Sequence, residues 1–229
     1  MQNNIDWQDL FGSDDETEIH EELRPIITFD PIPGLKLIKQ ALSHEEQMSL
    51  IHALIDHNHF GGNANQTMIF GKLPEYIDWI QPWIIKRYPG IYAQDILNRM
   101  PLFDQAILNL YTKGEGIASH VDLARFEDGI LIISLLSSCI MTMKPARKNT
   151  NFYNAENTDD RGKHDILLRS GDILALSQEA RYDWEHGIQS RLVDEIDGQS
   201  IKRGTRISVT LRKLKHGQEE MPSMTTSKR

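Results

Sequence analysis

Short apolar runs dominate the chain after Pro101, and they restrict the possible folds more than any other feature. Segments rich in glycine, asparagine, aspartate and serine separate them. The runs cover residues 105–111, 130–136, 139–144, 165–169, 172–176, 184–188 and 206–214. Runs of this length and spacing indicate strands, and many short strands pair most simply in a sandwich or barrel. We therefore predict a β-sandwich or barrel core.

The N-terminal third carries helix signals instead. A short strand within 34–42 leads to Ser43, which together with Glu46 has the spacing of a capping box. The apolar stripe that follows predicts a helix ending near His57. A second helix is expected from Pro74, with Pro82 breaking or restarting it. The fold class is therefore α+β with a mostly β core and N-terminal helices packed on one sheet.

The two ends and two connections have no clear pattern. Residues 1–25 are acid-rich and are expected to form a flexible leader, although Trp7, Leu10 and Phe11 are an alternative docking segment for the domain or a partner. Residues 26–215 are interpreted as one domain, followed by a polar tail over 216–229. The long polar connections 146–164 and 190–204 are either functional or mobile.

The composition restricts the cellular compartments and the binding partners that we expect for this protein. The formal net charge of −8 provides no global positive field for nucleic acid or an anionic membrane, so any such contact must be local. Cys139 is the only cysteine, which excludes an intrachain disulfide and fits a reducing compartment. It is expected to be a small core residue with no redox role. With no signal-peptide pattern or membrane-spanning apolar run, we expect an intracellular protein in the nucleus, the cytoplasm or both.

Three residues have the character of a metal site. His120 and Asp122 are two residues apart, so both side chains share one face if the segment is a strand. A His-x-Asp pair alone is common, but His186 followed by a glycine in another predicted strand completes a set of two histidines and one carboxylate. This is the facial triad of non-haem iron(II) oxygenases, which leaves three coordination positions open. Zinc in a hydrolytic site takes the same ligands, so the triad alone does not fix the chemistry.

The strand within 205–213 distinguishes between these chemistries. Its apolar residues alternate with polar ones, so Arg206 and Arg212 share one face. An oxygenase that consumes 2-oxoglutarate needs a fixed cation for the far carboxylate, and the planar fork of arginine suits that task. The two side chains, leaning toward each other, can bracket a dicarboxylate. Arginines exposed on an edge strand are the alternative, and the triad favours the inward orientation.

Together these motifs resemble the AlkB-type iron(II)- and 2-oxoglutarate-dependent dioxygenases. The resemblance covers about residues 65–214 and depends on NLY at 109–111, HVD at 120–122, HGI at 186–188 and RISVTLR at 206–212. It implies that the iron ligands are His120, Asp122 and His186, and that 2-oxoglutarate contacts Asn109, Tyr111, Arg206 and Arg212, with Arg206 on the 5-carboxylate. Many AlkB relatives have asparagine where this chain has Ser208.

The resemblance also implies a fold and a reaction. The fold is a double-stranded β-helix, or jelly roll, over 105–215, supported by residues 26–104, which provide helices and a substrate lid. The cofactor is Fe(II) and the co-substrates are 2-oxoglutarate and O2. The expected reaction demethylates or hydroxylates N-alkylated bases and releases succinate, CO2 and formaldehyde. The phrase FEDGI at 126–130 also looks like AlkB homologues that modify transfer RNA.

The substrate is the least constrained part. Within the expected lid, Met68, Phe70 and Tyr76 line an apolar pocket for a flipped base or simply pack against the barrel. The nearby basic residues form no stripe; they are Lys72, Lys86, Arg87, Arg99, Lys144, Arg147 and Lys148. The histidines around the first helix, His52, His57 and His59, are interpreted as a solvated face and not as a second metal site.

Three functions therefore stay open. The first is oxidation of alkylated bases in DNA or RNA, with a single-stranded or flipped base as the partner. The second is the same chemistry on a basic protein, such as methylated lysine of a histone, which the acidic charge fits equally well. The third is a non-catalytic binding module, which the intact set of expected ligands disfavours. A monomer without membrane contact is expected.

Overall fold

The structure is a computed structural model that describes residues 23–62, 64–146 and 162–218. Most of the expected leader, with Trp7, Leu10 and Phe11, lies outside the described residues. So do Arg147 and Lys148, most of the 146–164 connection and most of the tail.

Within these ranges the chain is mostly β, with a few helices. The strands are β1 Ile26–Thr28, β2 Leu35–Ile38, β3 Gln66–Phe70, β4 Gln105–Tyr111, β5 Ile117–His120, β6 Ile130–Leu136, β7 Cys139–Pro145, β8 His164–Leu168, β9 Ile173–Leu176, β10 Trp184–Ile188, β11 Val193–Ile196, β12 Gln199–Lys202 and β13 Arg206–Arg212. The helices are α1 His44–Asp56, α2 Glu75–Asp78, α3 Ile80–Arg87, α4 Gln94–Leu97 and α5 Gln178–Tyr182. No helix among these residues is long and apolar enough to cross a membrane.

The strands form two main antiparallel sheets. The larger sheet has the order β1-β2-β9-β6-β13-β4-β3, and the smaller has the order β5-β10-β7-β8. The strand runs expected at 105–111, 130–136 and 184–188 are confirmed with the same bounds.

Two apolar clusters divide the molecule into three layers. In the first cluster, helix residues such as Leu54 and Ile84 pack on one face of the larger sheet, which includes Ile207 and Val209. In the second, β2, β6 and β9 of the larger sheet pack against β7, β8 and β10 of the smaller one. The expected packing of N-terminal helices on one sheet is thus confirmed.

On the face toward the smaller sheet, β13 differs from its neighbours because it is polar and still buried. Arg206, Ser208, Thr210 and Arg212 occupy this face, opposite the helix-facing apolar residues. Buried polar groups cost free energy unless they find partners, so this polar interior indicates a binding chamber and not a packing core.

The helix boundaries follow local chemistry. The backbone N–H of Glu46 donates to Ser43 Oγ at 3.1 Å, and the Ser43 N–H donates to the Glu46 carboxylate at 2.8 Å. This confirms the capping box of α1. The second expected helix divides at Trp79 into α2 and α3, and Pro82 lies in the first turn of α3, where it costs no intrahelical hydrogen bond.

The connection expected over 190–204 is instead mostly a hairpin. Strands β11 and β12 pair in register, and Asp197 and Gly198 between them have φ of 50° and 74°. Two adjacent residues at positive φ are what a two-residue hairpin turn requires, and Asp-Gly is a strong signal for it. The sequence prediction of an irregular loop was therefore wrong.

Candidate metal centre and co-substrate pocket

His120 and His186 are brought together by strand pairing. His120 ends β5, His186 lies in β10, and the two residues are direct partners across the antiparallel pair, with ring centroids 4.5 Å apart. Gly187 allows this approach, because a Cβ there would lie 2.8 Å from Ser119 Cα and 2.9 Å from Ser119 N. The glycine after the second histidine is therefore required by β5–β10 packing.

Asp122 completes the cluster from a loop. Asp122 was expected on the same strand as His120, but β5 ends at His120 and Asp122 lies two residues beyond it. The Asp122 Oδ2 atom is 3.6 Å from His186 Nε2. One potential ligand atom from each of the three residues lies within 4.8 Å of the others. Two imidazoles and one carboxylate converging in this way fit a single Fe(II) ion.

The protonation of these groups suits metal binding. Burial lowers the pKa of His186 to about 4, so its imidazole is neutral at physiological pH. The Nδ1 atom of His120 is 2.8 Å from the carbonyl oxygen of Ala118. If Nδ1 carries the proton and donates there, Nε2 keeps its lone pair for a metal. Burial would raise the pKa of Asp122, but His186 and Arg212 outweigh it, so the pKa lies below its usual value.

Arg212 contacts the metal-site carboxylate directly. Its Nη1 donates to Asp122 Oδ1 at 2.5 Å, its Nε donates to Gln105 Oε1 at 2.7 Å, and its guanidinium carbon lies 3.9 Å from the Phe126 ring centroid. Of the two arginines expected to bracket one dicarboxylate, Arg212 thus already has two nitrogens bound by Asp122 and Gln105. A further contact of Arg212 with 2-oxoglutarate stays a prediction.

Arg206 has the surroundings expected of a carboxylate receptor. Its side chain is 3% exposed, which confirms the inward orientation of this face of β13. Its Nε donates to Ser134 Oγ at 3.0 Å, and its guanidinium carbon lies 5.4 Å from the Tyr111 ring centroid. The Nη2 atom is buried and has no hydrogen-bond partner among the described residues. An unpartnered, buried guanidinium N–H is costly unless an anion binds it, so the site fits the far carboxylate of 2-oxoglutarate.

The neighbours of Arg206 form a small chamber. Tyr111, Cys139, Ile188 and Arg203 line it together with Arg206. Burial raises the pKa of Tyr111 and that of the Cys139 thiol, and the Arg206 charge opposes both shifts. The prediction that Cys139 is a small buried residue is confirmed.

Asn109 lies beside this chamber at the wall of a wider cleft. It pairs with Ser208 across β4 and β13, and its Oδ1 accepts a hydrogen bond from Gln66 Nε2 at 2.7 Å. The cleft has a volume of about 300 Å³ and is lined by Asn65, Gln66, Asn109, Leu110, Tyr111, Glu115, Gly116, Ile117 and Ser190. Asn109 and Tyr111 thus both line this cleft.

The three expected substrate residues do not lie together. Met68 and Phe70 alternate with Thr67 and Ile69 on edge strand β3, and Met68 is 44% exposed. By strand alternation they share the face of Gln66, which is the β3 residue that lines the cleft.

Tyr76 instead packs with the helices on the opposite side of the larger sheet. Its hydroxyl is 2.5 Å from His59 Nε2. The grouping of Tyr76 with Met68 and Phe70 is therefore corrected. The interpretation of His59 as part of a solvated face is also corrected, because its ring is half-buried against Tyr76.

The phrase at 126–130 has a structural explanation. Phe126 packs against the Arg212 guanidinium, the Asp128 carboxylate accepts a hydrogen bond from the Gln178 backbone N–H at 3.0 Å, and Gly129 has φ of 84°. These residues shape the loop that carries Asp122, so the phrase alone does not indicate a transfer RNA substrate.

Sequence reasoning missed one buried residue beside the site, Arg181. It is 2% exposed, and its guanidinium donates to the backbone carbonyls of Asp122, Leu123 and Phe126. Because its partners are main-chain atoms, no side-chain pattern in the sequence could have indicated it.

Comparison with known proteins agrees with this geometry. The 2OG-Fe(II) oxygenase superfamily matches over residues 84–212, which include the three converging ligands and both arginines of β13. Among similar proteins, Uncharacterized protein L905 of Acanthamoeba polyphaga mimivirus is 34% identical over 151 residues, or 63% of this chain and 62% of that protein. The Alkylated DNA repair protein ALKBH8 homolog of Arabidopsis thaliana is 29% identical over 229 residues, or 88% of this chain and 64% of that protein.

A third relative is the tRNA (carboxymethyluridine(34)-5-O)-methyltransferase alkbh8 of Xenopus tropicalis. It is 33% identical over 130 residues, which are 49% of this chain and 19% of that protein. The chain thus spans less than two thirds of the length of each of these relatives. Among solved structures, OsALKBH1 matches with a TM-score of 0.56 and 17% identity over 82% of this chain and 100% of that one, a likeness of fold.

Proposed function

Because this chain is an AlkB-like member of the 2OG-Fe(II) oxygenase superfamily, we propose that it oxidises N-alkylated bases in RNA or DNA. Membership makes it an oxidoreductase that uses Fe(II), 2-oxoglutarate and O2. The observation that carries the proposal is the convergence of His120, Asp122 and His186 next to a buried strand that presents Arg206 with an unpartnered Nη2.

Each of these side chains has a role in the proposal. His120, Asp122 and His186 hold the iron, which supplies the activation of dioxygen when it is bound. Arg206 binds the far carboxylate of 2-oxoglutarate by charge-assisted hydrogen bonds. Asn109 and Tyr111 line the same wall and orient the co-substrate.

The overall reaction balances without another reductant. One 2-oxoglutarate and one O2 yield succinate and CO2, and the second oxygen atom is inserted into a C–H bond of the substrate. When that carbon is an N-methyl group, the N-hydroxymethyl product breaks its C–N bond and releases formaldehyde, leaving N–H. Reduction of O2 takes four electrons, of which the oxidative decarboxylation of 2-oxoglutarate supplies two and the hydroxylated C–H bond supplies two.

The fold name and the domain limits belong to the same proposal. We propose that the two facing antiparallel sheets are a double-stranded β-helix, and that residues 26–215 form one dioxygenase domain. The likeness to OsALKBH1 over 82% of the chain supports both.

Two observations support a nucleobase substrate: apolar side chains on β3 and the names of the related proteins. Met68 and Phe70 alternate in phase with the cleft residue Gln66 on β3, and apolar side chains on that face can stack on a base that is removed from its duplex. The relatives' names refer to DNA repair and to transfer RNA. The methyl transfer named for the Xenopus protein is not part of the proposal, because the match covers 19% of that protein.

A basic protein is the second candidate substrate. The chain carries a net charge of −8, and two of the basic residues considered for phosphate contact already have partners. Lys144 Nζ pairs with Glu185 at 3.0 Å, and Arg99 donates to the Asp128 carbonyl at 2.6 Å. The charge therefore favours a cationic partner such as a methylated histone tail as much as a polyanion. The monomeric state and the nuclear or cytoplasmic location stay predictions.

The test measures two products on two substrates. Succinate and formaldehyde are quantified with N-methylated single-stranded oligonucleotides of RNA and DNA, and with methyl-lysine histone peptides, at two salt concentrations. We expect equal amounts of both products with an oligonucleotide and a KM that rises with salt. Formaldehyde from the peptide alone would transfer the assignment to the second candidate. Absence of succinate with every substrate would mean a non-catalytic binding module; His120→Ala is the matched blank.

A further inference from the structure

We infer that Arg181 is a positioning residue that holds the metal-ligating residue Asp122 in place through its main chain. This inference depends on the proposed iron site. Arg181 belongs to α5, far from Asp122 along the chain, and its side chain is 2% exposed. Its hydrogen bonds go to main-chain carbonyls of the loop that carries Asp122 and not to the expected metal ligand atoms.

Arg181 donates three hydrogen bonds to backbone carbonyls of that loop. Its Nη1 donates to the Asp122 carbonyl at 3.0 Å. Its Nη2 donates to the Leu123 carbonyl at 2.7 Å and to the Phe126 carbonyl at 3.2 Å. The rigid fork of a guanidinium fixes several acceptors in one geometry, which a flexible amine cannot do. The backbone from 122 to 126 is thus fastened at three points to one side chain.

The same side chain links the two segments that provide metal ligands. Arg181 lies five residues before His186, at the end of the helix that leads into β10. A second contact joins the same loop to α5 further along the chain. The Asp128 carboxylate accepts a hydrogen bond from the Gln178 backbone N–H at the start of α5. The Asp122 loop and the His186 segment are therefore joined at both ends of α5, in addition to the pairing of β5 with β10.

Both the side chain and the main chain of Asp122 are therefore held by arginines. Arg212 holds its carboxylate and Arg181 holds its carbonyl. A loop residue lacks the ladder of hydrogen bonds that fixes a strand residue, so its ligand oxygen is placed only as well as its supports allow. Outer partners of metal ligands commonly change metal affinity by about ten- to hundredfold when they are removed. We expect an effect of that size from the main-chain support.

The experiment measures Mn²⁺ binding, which needs no turnover. The dissociation constant is determined by titration of the apo-protein with Mn²⁺, followed by electron paramagnetic resonance of the free ion, below the thermal midpoint of every variant. Arg181→Met removes the three donors and keeps most of the volume. Gln81→Met is the matched control, because Gln81 is also buried and its hydrogen bonds, from the Phe103 N–H and to the Asp78 carboxylate, lie among the helices, away from residues 122–126.

We expect Arg181→Met to weaken Mn²⁺ binding by about ten- to hundredfold. Gln81→Met should change the dissociation constant by less than about twofold, although both variants lower the thermal midpoint of the apo-protein. Arg181→Lys keeps a buried cation with fewer aligned donors and should fall between wild type and Arg181→Met. It also provides the measurement if the methionine variant does not fold.

The possible results distinguish failure of the Arg181 role from failure of the proposed iron site. Equal loss of affinity in Arg181→Met and Gln81→Met would reduce the role of Arg181 to general stability and overturn the inference. So would unchanged affinity in both Arg181 variants. A wild-type protein that does not bind Mn²⁺ would instead overturn the iron site itself.

Discussion

At the scale of the residue, the expected metal ligands His120 and Asp122 differ in how much they contribute to the stability of the fold. His120 is partly exposed, and its recorded hydrogen bond is to the Ala118 carbonyl. Asp122 is buried and paired with the buried Arg212. Removal of Asp122 therefore leaves an unpaired interior charge, whereas removal of His120 does not.

We expect His120→Ala and Asp122→Ala both to abolish 2-oxoglutarate turnover, but with different effects on stability. The free energy of unfolding of the apo-protein should fall by less than about 1 kcal/mol in His120→Ala. It should fall by about 3–5 kcal/mol in Asp122→Ala, because a broken buried ion pair is costly. Urea unfolding of the metal-free proteins measures both. Equal destabilisation would contradict the Asp122–Arg212 pairing.

Arg206 is expected to control the affinity for the co-substrate. Charge-assisted hydrogen bonds contribute about 1.5–3 kcal/mol each, so Arg206→Met should raise the KM for 2-oxoglutarate at least about tenfold to hundredfold. Arg206→Lys keeps the charge without the fork and should be intermediate. The KM is measured by succinate formation at saturating Fe(II). A normal KM in Arg206→Met would show that another group binds the carboxylate.

The sequence was informative about residues wherever side-chain type carries the chemistry. The types and order of His120, Asp122, His186 and Arg206 were sufficient to propose a metal and a carboxylate receptor. Arg181 was missed because carbonyl oxygens, which every residue has, are its partners. The Arg212–Asp122 contact was not anticipated for a different reason, because it joins side chains that lie far apart along the chain.

At the scale of the element, the β5–β10 pair creates the centre. Gly187 lies where the two strands approach most closely, with no room for a Cβ against Ser119. We expect Gly187→Ala to destabilise the fold by about 1–3 kcal/mol, as overpacked sites do. It should also weaken Mn²⁺ binding, because His120 and His186 would separate. Gly198→Ala is a control with open space around the Cβ position, although its positive φ adds a small cost.

The β11–β12 hairpin depends on one buried carboxylate. Asp194 accepts from the Ile140 N–H at 2.9 Å, Arg203 Nε at 2.7 Å and Arg191 Nε at 2.5 Å. Burial would raise its pKa, but these donors outweigh burial and the pKa is lowered. Since the folded pKa lies below the unfolded value of about 3.9, the stabilisation is complete above that pH and is lost as the pH falls through the folded pKa.

We therefore expect Asp194→Asn to have a lower thermal midpoint than wild type at pH 7, and the difference to narrow below about pH 4. Thermal unfolding of both proteins across this range, followed by circular dichroism, measures it. A difference that stays constant down to the most acid pH would mean that Asp194 is not charged in the folded protein.

Elements with strong local signals were predicted closely, and those that depend on distant partners were not. The α1 capping box and the runs forming β4, β6 and β10 were recognised from local pattern. The β11–β12 hairpin was missed although its Asp-Gly turn was visible, because its strands are polar and gain their order from Asp194. Strand β3 was described only as a lid, because an edge strand carries a weak alternation signal.

At the scale of the whole molecule, the apolar contacts that stabilise the layers of helices and sheets are separate from the polar face that carries the expected reactive centre. The helices cover one face of the larger sheet, and apolar contacts from β2, β6 and β9 join it to the smaller sheet. The facing side of β13 is left polar, where Arg206 and Arg212 receive their partners. The apolar part supplies stability, and the polar part is free to bind ligands.

The most direct test of the central claim is a crystal structure with Mn²⁺ and 2-oxoglutarate, using anomalous scattering to locate the metal. We expect one anomalous peak within about 2.0–2.2 Å of His120 Nε2, an Asp122 carboxylate oxygen and His186 Nε2. We also expect the far carboxylate of 2-oxoglutarate within hydrogen-bonding distance of Arg206 Nη2. A metal peak away from these three residues, or an Arg206 guanidinium that faces water while 2-oxoglutarate binds elsewhere, would contradict the account.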